Sequence, residues 1–135
     1  MKIGFLTDVD GYRAPIHPES IEKYSLDVHL EKNIFDYLNY ADSSLSNVKN
    51  ISNLTDLDIV ACVENIQDKT IKELKEGAVL IGIFDFDKIE EIKSLRPDIK
   101  VLSFFKLPRI SRAQNLDALS SQANLLGYAS VLRAA

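Results

Sequence analysis

The sequence predicts an α/β fold in which a parallel sheet carries helices on both faces. This is a three-layer sandwich of the Rossmann or flavodoxin kind, ending in a long C-terminal helix. Three observations predict it. Short apolar runs alternate with longer, charged amphipathic stretches. The runs hold apolar residues at consecutive positions, as strands buried on both faces do. The chain has 135 residues, 46% of them hydrophobic and 27% charged. That suits one domain burying roughly two thirds of its unfolded surface without metal or disulfide staples.

In order along the chain, KIGFL (Lys2 to Leu6) is the first strand and HPES (His17 to Ser20) a helix start. SLDVHL (Ser25 to Leu30) is the second strand, and EKNIFDYLNYA, with Ile34, Phe35 and Leu38, a helix. The polar segment from Asp42 to Asn53 follows neither period. DIVACV (Asp58 to Val63) is the next strand. KTIKELKEG then places Ile71 and Leu74 three apart among charges and ends in Gly77, a helix with its stop signal. AVLIGI (Ala78 to Ile83) is a strand. DKIEEIKSLRPDI repeats the helical spacing on Ile89, Ile92 and Leu95 and halts before Pro97. KVLSFF (Lys100 to Phe105) closes the sheet.

Several function classes are excluded at once. A net charge of −4 offers no electrostatic footprint for a phosphate backbone, so no nucleic-acid partner is expected. The longest apolar run, Ala78 to Phe84, falls far short of the about 20 residues that span a bilayer, and direct membrane insertion is not expected. The start has neither a secretory nor a transit pattern, which makes the cytoplasm the expected compartment. The single cysteine, Cys62, lies inside an apolar strand pattern and reads as a buried, inert thiol.

Ligands of such sheets sit at the carboxyl ends of the strands. Thr7, Asp8, Asp10, Glu64, Asp85, Lys106 and Arg109 fall there. Asp8 and Asp10 with a late Lys resemble a phosphoryl receiver, but the strand that must supply the acceptor Asp ends in Glu64. A solvated turn closed by Gly11 is the plainer reading of the two aspartates. The five glycines nowhere show the G-x-G-x-x-G spacing of a pyrophosphate cradle. His17 and His29 lack partners at metal-ligand spacing, so no metal is expected.

From Pro108 onward the only acid is Asp117. Leu116, Leu119, Ala123 and Leu126 form one apolar stripe at helical steps; Leu125, Tyr128 and Leu132 form a second beside it. Such a helix is expected to be covered, by a continuation of the protein or by a partner. Gln114, Asp117, Ser121 and Asn124, with Ser120 adjacent, make a polar stripe suited to hydrogen bonding a ligand. Capping explains the same residues. Ser111 and Gln114 have capping-box spacing, Asp117 suits a helix start, and Ser120 can bond back to a carbonyl. Arg109 is equally an anion contact or a solvated arginine.

The run PRISRAQNLDALSSQANLLGYASV resembles the segment after the first domain's last strand in the alpha subunit of proton-translocating NAD(P) transhydrogenases, a family whose domain is shared with alanine dehydrogenases. Arg109, Gln114 and Asp117 fill the family's R-x-x-x-x-Q-x-x-D signature, and Ser120 matches a serine one turn on. MKIG with RAPIHPES, DIVACV and LKEGAVLIGIF are similar to further family segments. Cys62 stands where the family has a Lys, the glycine-rich stretch after the second strand is missing, and the segment after Phe84 is shorter. Alanine dehydrogenases use that Lys and an early Arg for their keto acid, so Cys62 argues against such a role for Arg13.

The resemblance implies that residues 1–135 are the family's N-terminal domain without its NAD-binding Rossmann domain. It implies an oxidoreductase in which Arg109, Gln114 and Asp117 are catalytic and Arg109, Asp117 and Ser120 hold the nicotinamide of NAD(H). Gln114 would face NADP(H) on a partner subunit. Hydride transfer needs the reacting carbons held within about 3 to 3.5 Å and little acid or base chemistry. The implied partners are the rest of the alpha subunit, the beta subunit and a second copy in a homodimer, peripheral to the inner membrane. The isolated chain is expected to be inactive. The alternative is a binding or structural module that has lost catalysis and docks a partner through its C-terminal helix.

Overall fold

The computed structural model describes residues 1–9, 11, 13–22, 27–35, 45 and 48–106. Their elements are β1 (Lys2–Phe5), α1 (Pro18–Glu22), β2 (Asp27–Leu30), β3 (Val48–Asn50), β4 (Ile59–Ala61), α2 (Asp68–Lys72), β5 (Val79–Gly82), α3 (Phe86–Leu95) and β6 (Lys100–Ser103). Short 3-10 turns fill Leu54–Asp56 and Phe104–Lys106. The six strands form one sheet in the order β3-β2-β1-β4-β5-β6, and every pair is parallel. This is the doubly wound Rossmann order, whose direction reverses between β1 and β4.

Register decides which side chains share a face. Ile3 lies opposite Val28 and Ile59, and Phe5 opposite Leu30 and Ala61; Ile59 and Ala61 continue to Val79 and Ile81. The other face carries Gly4, Val60, Leu80 and Val101. On that second face the main core forms, where Val60, Leu80 and Cys62 pack with Ile71 and Leu74, and with Ile89 and Ile92 of α3. A smaller core on the first face joins Ile21 of α1 to Val28 and Leu30, with Ile34, Phe35 and Leu45. Helices thus lie on both sides of the sheet, as the alternation of runs predicts.

Some expectations change. The polar segment from Asp42 to Asn53 contains β3, an edge strand of three residues. The helix expected up to Gly77 ends at Lys72, because the Arg96 guanidinium donates to the carbonyls of Lys72 and Leu74 at 2.9 and 3.0 Å and closes it there. Gly77 instead sits in the Lys75–Ala78 turn that leads into β5. The start of the expected EKNIF helix is a turn, since Asn33 has φ 63° and no α-helix passes through that value. The rest of that stretch, residues 36–41, lies outside the described residues, and so does the expected C-terminal helix. Burial on both faces fails for β1, β4 and β5, as Ile3, Ile59, Val79 and Ile81 are only half-buried.

Two details set the end of β5. A Cβ on Gly82 would lie 2.5 Å from the Phe84 ring, so only glycine lets that buried ring fold back over the strand. Ser103, also buried, donates from Oγ to the Phe84 carbonyl at 2.6 Å and accepts from the Phe84 N–H at 2.9 Å. A buried hydroxyl satisfied in this way pins β6 to β5 at the carboxyl edge.

Candidate functional site

The reversal of strand order opens a crevice beyond the carboxyl ends of β1 and β4, where doubly wound sheets bind ligands. Asp8 follows β1 and is only 2% exposed. Its Oδ1 accepts the backbone N–H groups of Glu64 and Asn65, just past β4, at 3.0 and 3.2 Å. Its Oδ2 lies 2.6 Å from the Arg13 guanidinium, which also reaches Glu64 at 3.1 Å. Asp8 is therefore not in a solvated turn. It is a buried strut across the reversal point, with Arg13 at its rim.

Gly11 does close a turn, as its φ of 73° allows, by donating its N–H to the Asp8 carbonyl at 2.8 Å. The Asp8 N–H donates to the Arg13 carbonyl at 3.0 Å. The Thr7 N–H and Oγ1 both donate to Glu31 Oε2, at 2.7 and 2.8 Å, which ties the end of β1 to the end of β2. The amides of Thr7, Asp8, Gly11, Glu64 and Asn65 are thus answered by the chain's own Asp8 and Glu31 carboxylates and by main-chain carbonyls. The described residues do not fit a pyrophosphate.

Beside the strut lies an open pocket of about 360 Å³ lined by Arg13, Glu64, Asn65, Asp85, Lys88 and Phe105, among others. Its charges are matched. Asp85 caps α3 by accepting the Lys88 N–H at 2.9 Å, and the Lys88 ammonium donates to Glu91 at 2.9 Å. That hydrogen bond holds the Glu91 carboxyl below its ordinary range. Asn65, Lys88 and Phe105 escape inspection of the residues directly after each run, although Asn65 is adjacent to Glu64 and Phe105 to Lys106.

Cys62 is buried behind the crevice, and burial, helped by the nearby Asp8 charge, pushes its thiol up to about 12. No thiolate forms at neutral pH, which agrees with an inert side chain at this position. Lys106 ends the last described turn, at the carboxyl edge of β6. Asp10, Arg109, Ser111, Gln114, Asp117, Ser120, Ser121 and Asn124 lie outside the described residues. Among the described residues no helix is long and apolar enough to cross a membrane.

No family model matches the chain. It is 46% identical over 80 residues, 58% of its length, to the NAD(P) transhydrogenase subunit alpha of Haemophilus influenzae. It is 38% identical over 79 residues, 57% of its length, to the NAD(P) transhydrogenase subunit alpha of Cereibacter sphaeroides. The fold overlays the crystal structure of transhydrogenase from Sinorhizobium meliloti with a TM-score of 0.83 and 27% identity, over 98% of this chain. The chain is homologous to the N-terminal part of the NAD(P) transhydrogenase alpha subunit. It spans 16% and 15% of the lengths of the two alpha-subunit relatives and 43% of the solved transhydrogenase chain. The Rossmann strand order and the crevice at the β1–β4 reversal are therefore those of a transhydrogenase relative.

Proposed function

We propose that this chain is the N-terminal lobe of a transhydrogenase alpha subunit, and that it contributes the loop against which the nicotinamide of NAD(H) is held for hydride transfer to NADP(H). In this reading Arg109, Asp117 and Ser120 contact the carboxamide and Gln114 faces the second nucleotide. The rest of the alpha subunit, the beta subunit and a second copy of the lobe are the partners, on the cytoplasmic side of the inner membrane. One observation carries the reading. The amides of Thr7, Glu64 and Asn65 at the β1–β4 reversal are taken by Glu31 and Asp8, so among the described residues these amides are not free for a pyrophosphate, which suits a half-site completed by another domain. Support comes also from β6, which delivers the chain at the same carboxyl edge, immediately before the R-x-x-x-x-Q-x-x-D segment begins.

A second reading, a scaffold without catalysis, is favoured by the engagement of Arg13 with Asp8 and Glu64. Calorimetry with NADH separates the two. The chain alone is expected to bind no nucleotide tightly. Mixed with the remainder of the Haemophilus influenzae alpha subunit, it is expected to bind NADH, and Arg109→Ala or Asp117→Ala to weaken that binding about tenfold or more, the effect of one lost charge-assisted hydrogen bond. Tight stoichiometric binding by the chain alone would end the half-site reading. Binding in the mixture that neither variant alters would favour the scaffold.

A further inference from the structure

The buried carboxylate at the sheet reversal has the surroundings of a bound anion. Two successive backbone N–H groups, those of Glu64 and Asn65, converge on Asp8 Oδ1 at 3.0 and 3.2 Å, and the Arg13 guanidinium stands 2.6 Å from Oδ2. Adjacent amides aimed at one oxygen, with a guanidinium beside the other, are the means by which proteins hold carboxylate ions from solution. Asp8 and Glu64 are 56 residues apart. No local turn forces this carboxylate on to these amides, as a capping aspartate is forced on to its own helix.

We propose that the reversal point is a carboxylate-binding site whose ligand is the chain's own Asp8. The site stands whether or not a nucleotide binds nearby. Access agrees with it. Asp8 lines an open crevice of about 210 Å³ with Thr7, Gly11, Glu31, Asn65 and Gln67, among others, so an ion in solution can approach the place that its carboxylate fills. Size agrees as well. Asp8→Ala deletes a carboxylate and keeps Cβ, and formate is a carboxylate carrying one hydrogen.

Charge is conserved in the exchange. Glu31 accepts from the Thr7 N–H and Oγ1, and Glu64 lies 3.1 Å from Arg13. Neither pairing involves the Asp8 carboxylate, so one negative charge leaves with the deleted side chain and one returns with the ion. In the parent chain the tether decides the competition. Folding has already spent the freedom of Asp8, whereas a dissolved ion gives up its own on binding, so anions do not displace it. Asp8 therefore closes the reversal point to small anions by occupying it, with the donors for one in place.

Urea unfolding of the full 135-residue chain in sodium formate and in sodium chloride of equal ionic strength tests it. For Asp8→Ala, about 0.2 M formate is expected to raise the folded-to-unfolded ratio about fivefold or more above chloride, as an ion half-saturating at about 50 mM does. The parent and Asp8→Asn, whose sites are filled, are expected to behave alike in the two salts. In Asp8→Ala the amide proton signals of Glu64 and Asn65 are expected to move toward their parent positions as formate is added, and to saturate. Where Asp8→Ala does not fold in chloride, formate is expected to recover the folded chain. Equal behaviour of Asp8→Ala in the two salts, or a formate gain that the parent and Asp8→Asn share, would overturn the proposal. So would signals of Glu64 and Asn65 that formate leaves unmoved.

Discussion

A carboxylate shut away from water has to be answered, and Asp8 is answered by two amides across the sheet reversal and by the Arg13 guanidinium. Replacing it with Ala leaves those amides unsatisfied, so Asp8→Ala is expected to cost about 2 to 4 kcal/mol in urea unfolding. Asp8→Asn keeps an acceptor for the two amides but loses the charge and turns an amino group toward Arg13, with a smaller expected cost of about 1 to 2 kcal/mol. Equal stability of the two variants would show that the amide bonds do not matter. The position of Asp8, three residues past the first strand, is legible from the sequence. Its role is not, because the partners come from residues 13 and 64–65, and no local pattern tells which way a carboxylate turns. Asp85 is the contrary case. A cap bonds three residues along the chain, so its signal is wholly local. The R-x-x-x-x-Q-x-x-D residues enter the proposed site only through resemblance, because every one of them can also be explained by capping or solvation.

Among the elements, legibility follows length and locality. α3 repeats its spacing over ten residues and is readable between its cap and Pro97. β3 has three residues, VKN, and a single neighbouring strand, too little for either period to register. Ile71 of α2 and Leu74 just after it are buried as expected, yet the helix is cut short by an arginine from beyond α3. Tertiary bonds of that kind leave no trace in local spacing. At the end of β5, Gly82 belongs to the strand pattern, while its purpose belongs to the Phe84 ring. Gly82→Ala is expected to force that ring aside at a cost of about 1 to 3 kcal/mol, read as a lowered thermal midpoint. An unchanged midpoint would mean that the ring relocates freely.

For the molecule as a whole, the parallel sheet is legible from alternating runs, but the strand order is not, since runs carry no record of which neighbour they join. Charge is distributed so that several carboxylates resist protonation. The Lys75 ammonium, followed by the backbone N–H of Lys2, holds Asp58 below its ordinary value. Lys49 does the same for Asp27. A carboxylate lowered in the folded state binds fewer protons folded than unfolded, so its contribution is complete above about pH 4 and disappears as pH falls through the folded value. Asp58→Asn is accordingly expected to be less stable than the parent at pH 7, and the gap in urea midpoint is expected to narrow at pH 3. A gap of constant size would remove Asp58 from the account. The strand order has one more consequence, felt during synthesis. β1 is central, yet it is made first, and its partner β4 lies some 56 residues later, with Ile3 waiting for Ile59. At about 5 to 20 residues per second, the ribosome leaves that apolar ribbon without its second neighbour for roughly 3 to 11 seconds. The nascent chain is thus most in need of a chaperone between the synthesis of Ile3 and that of Ile59.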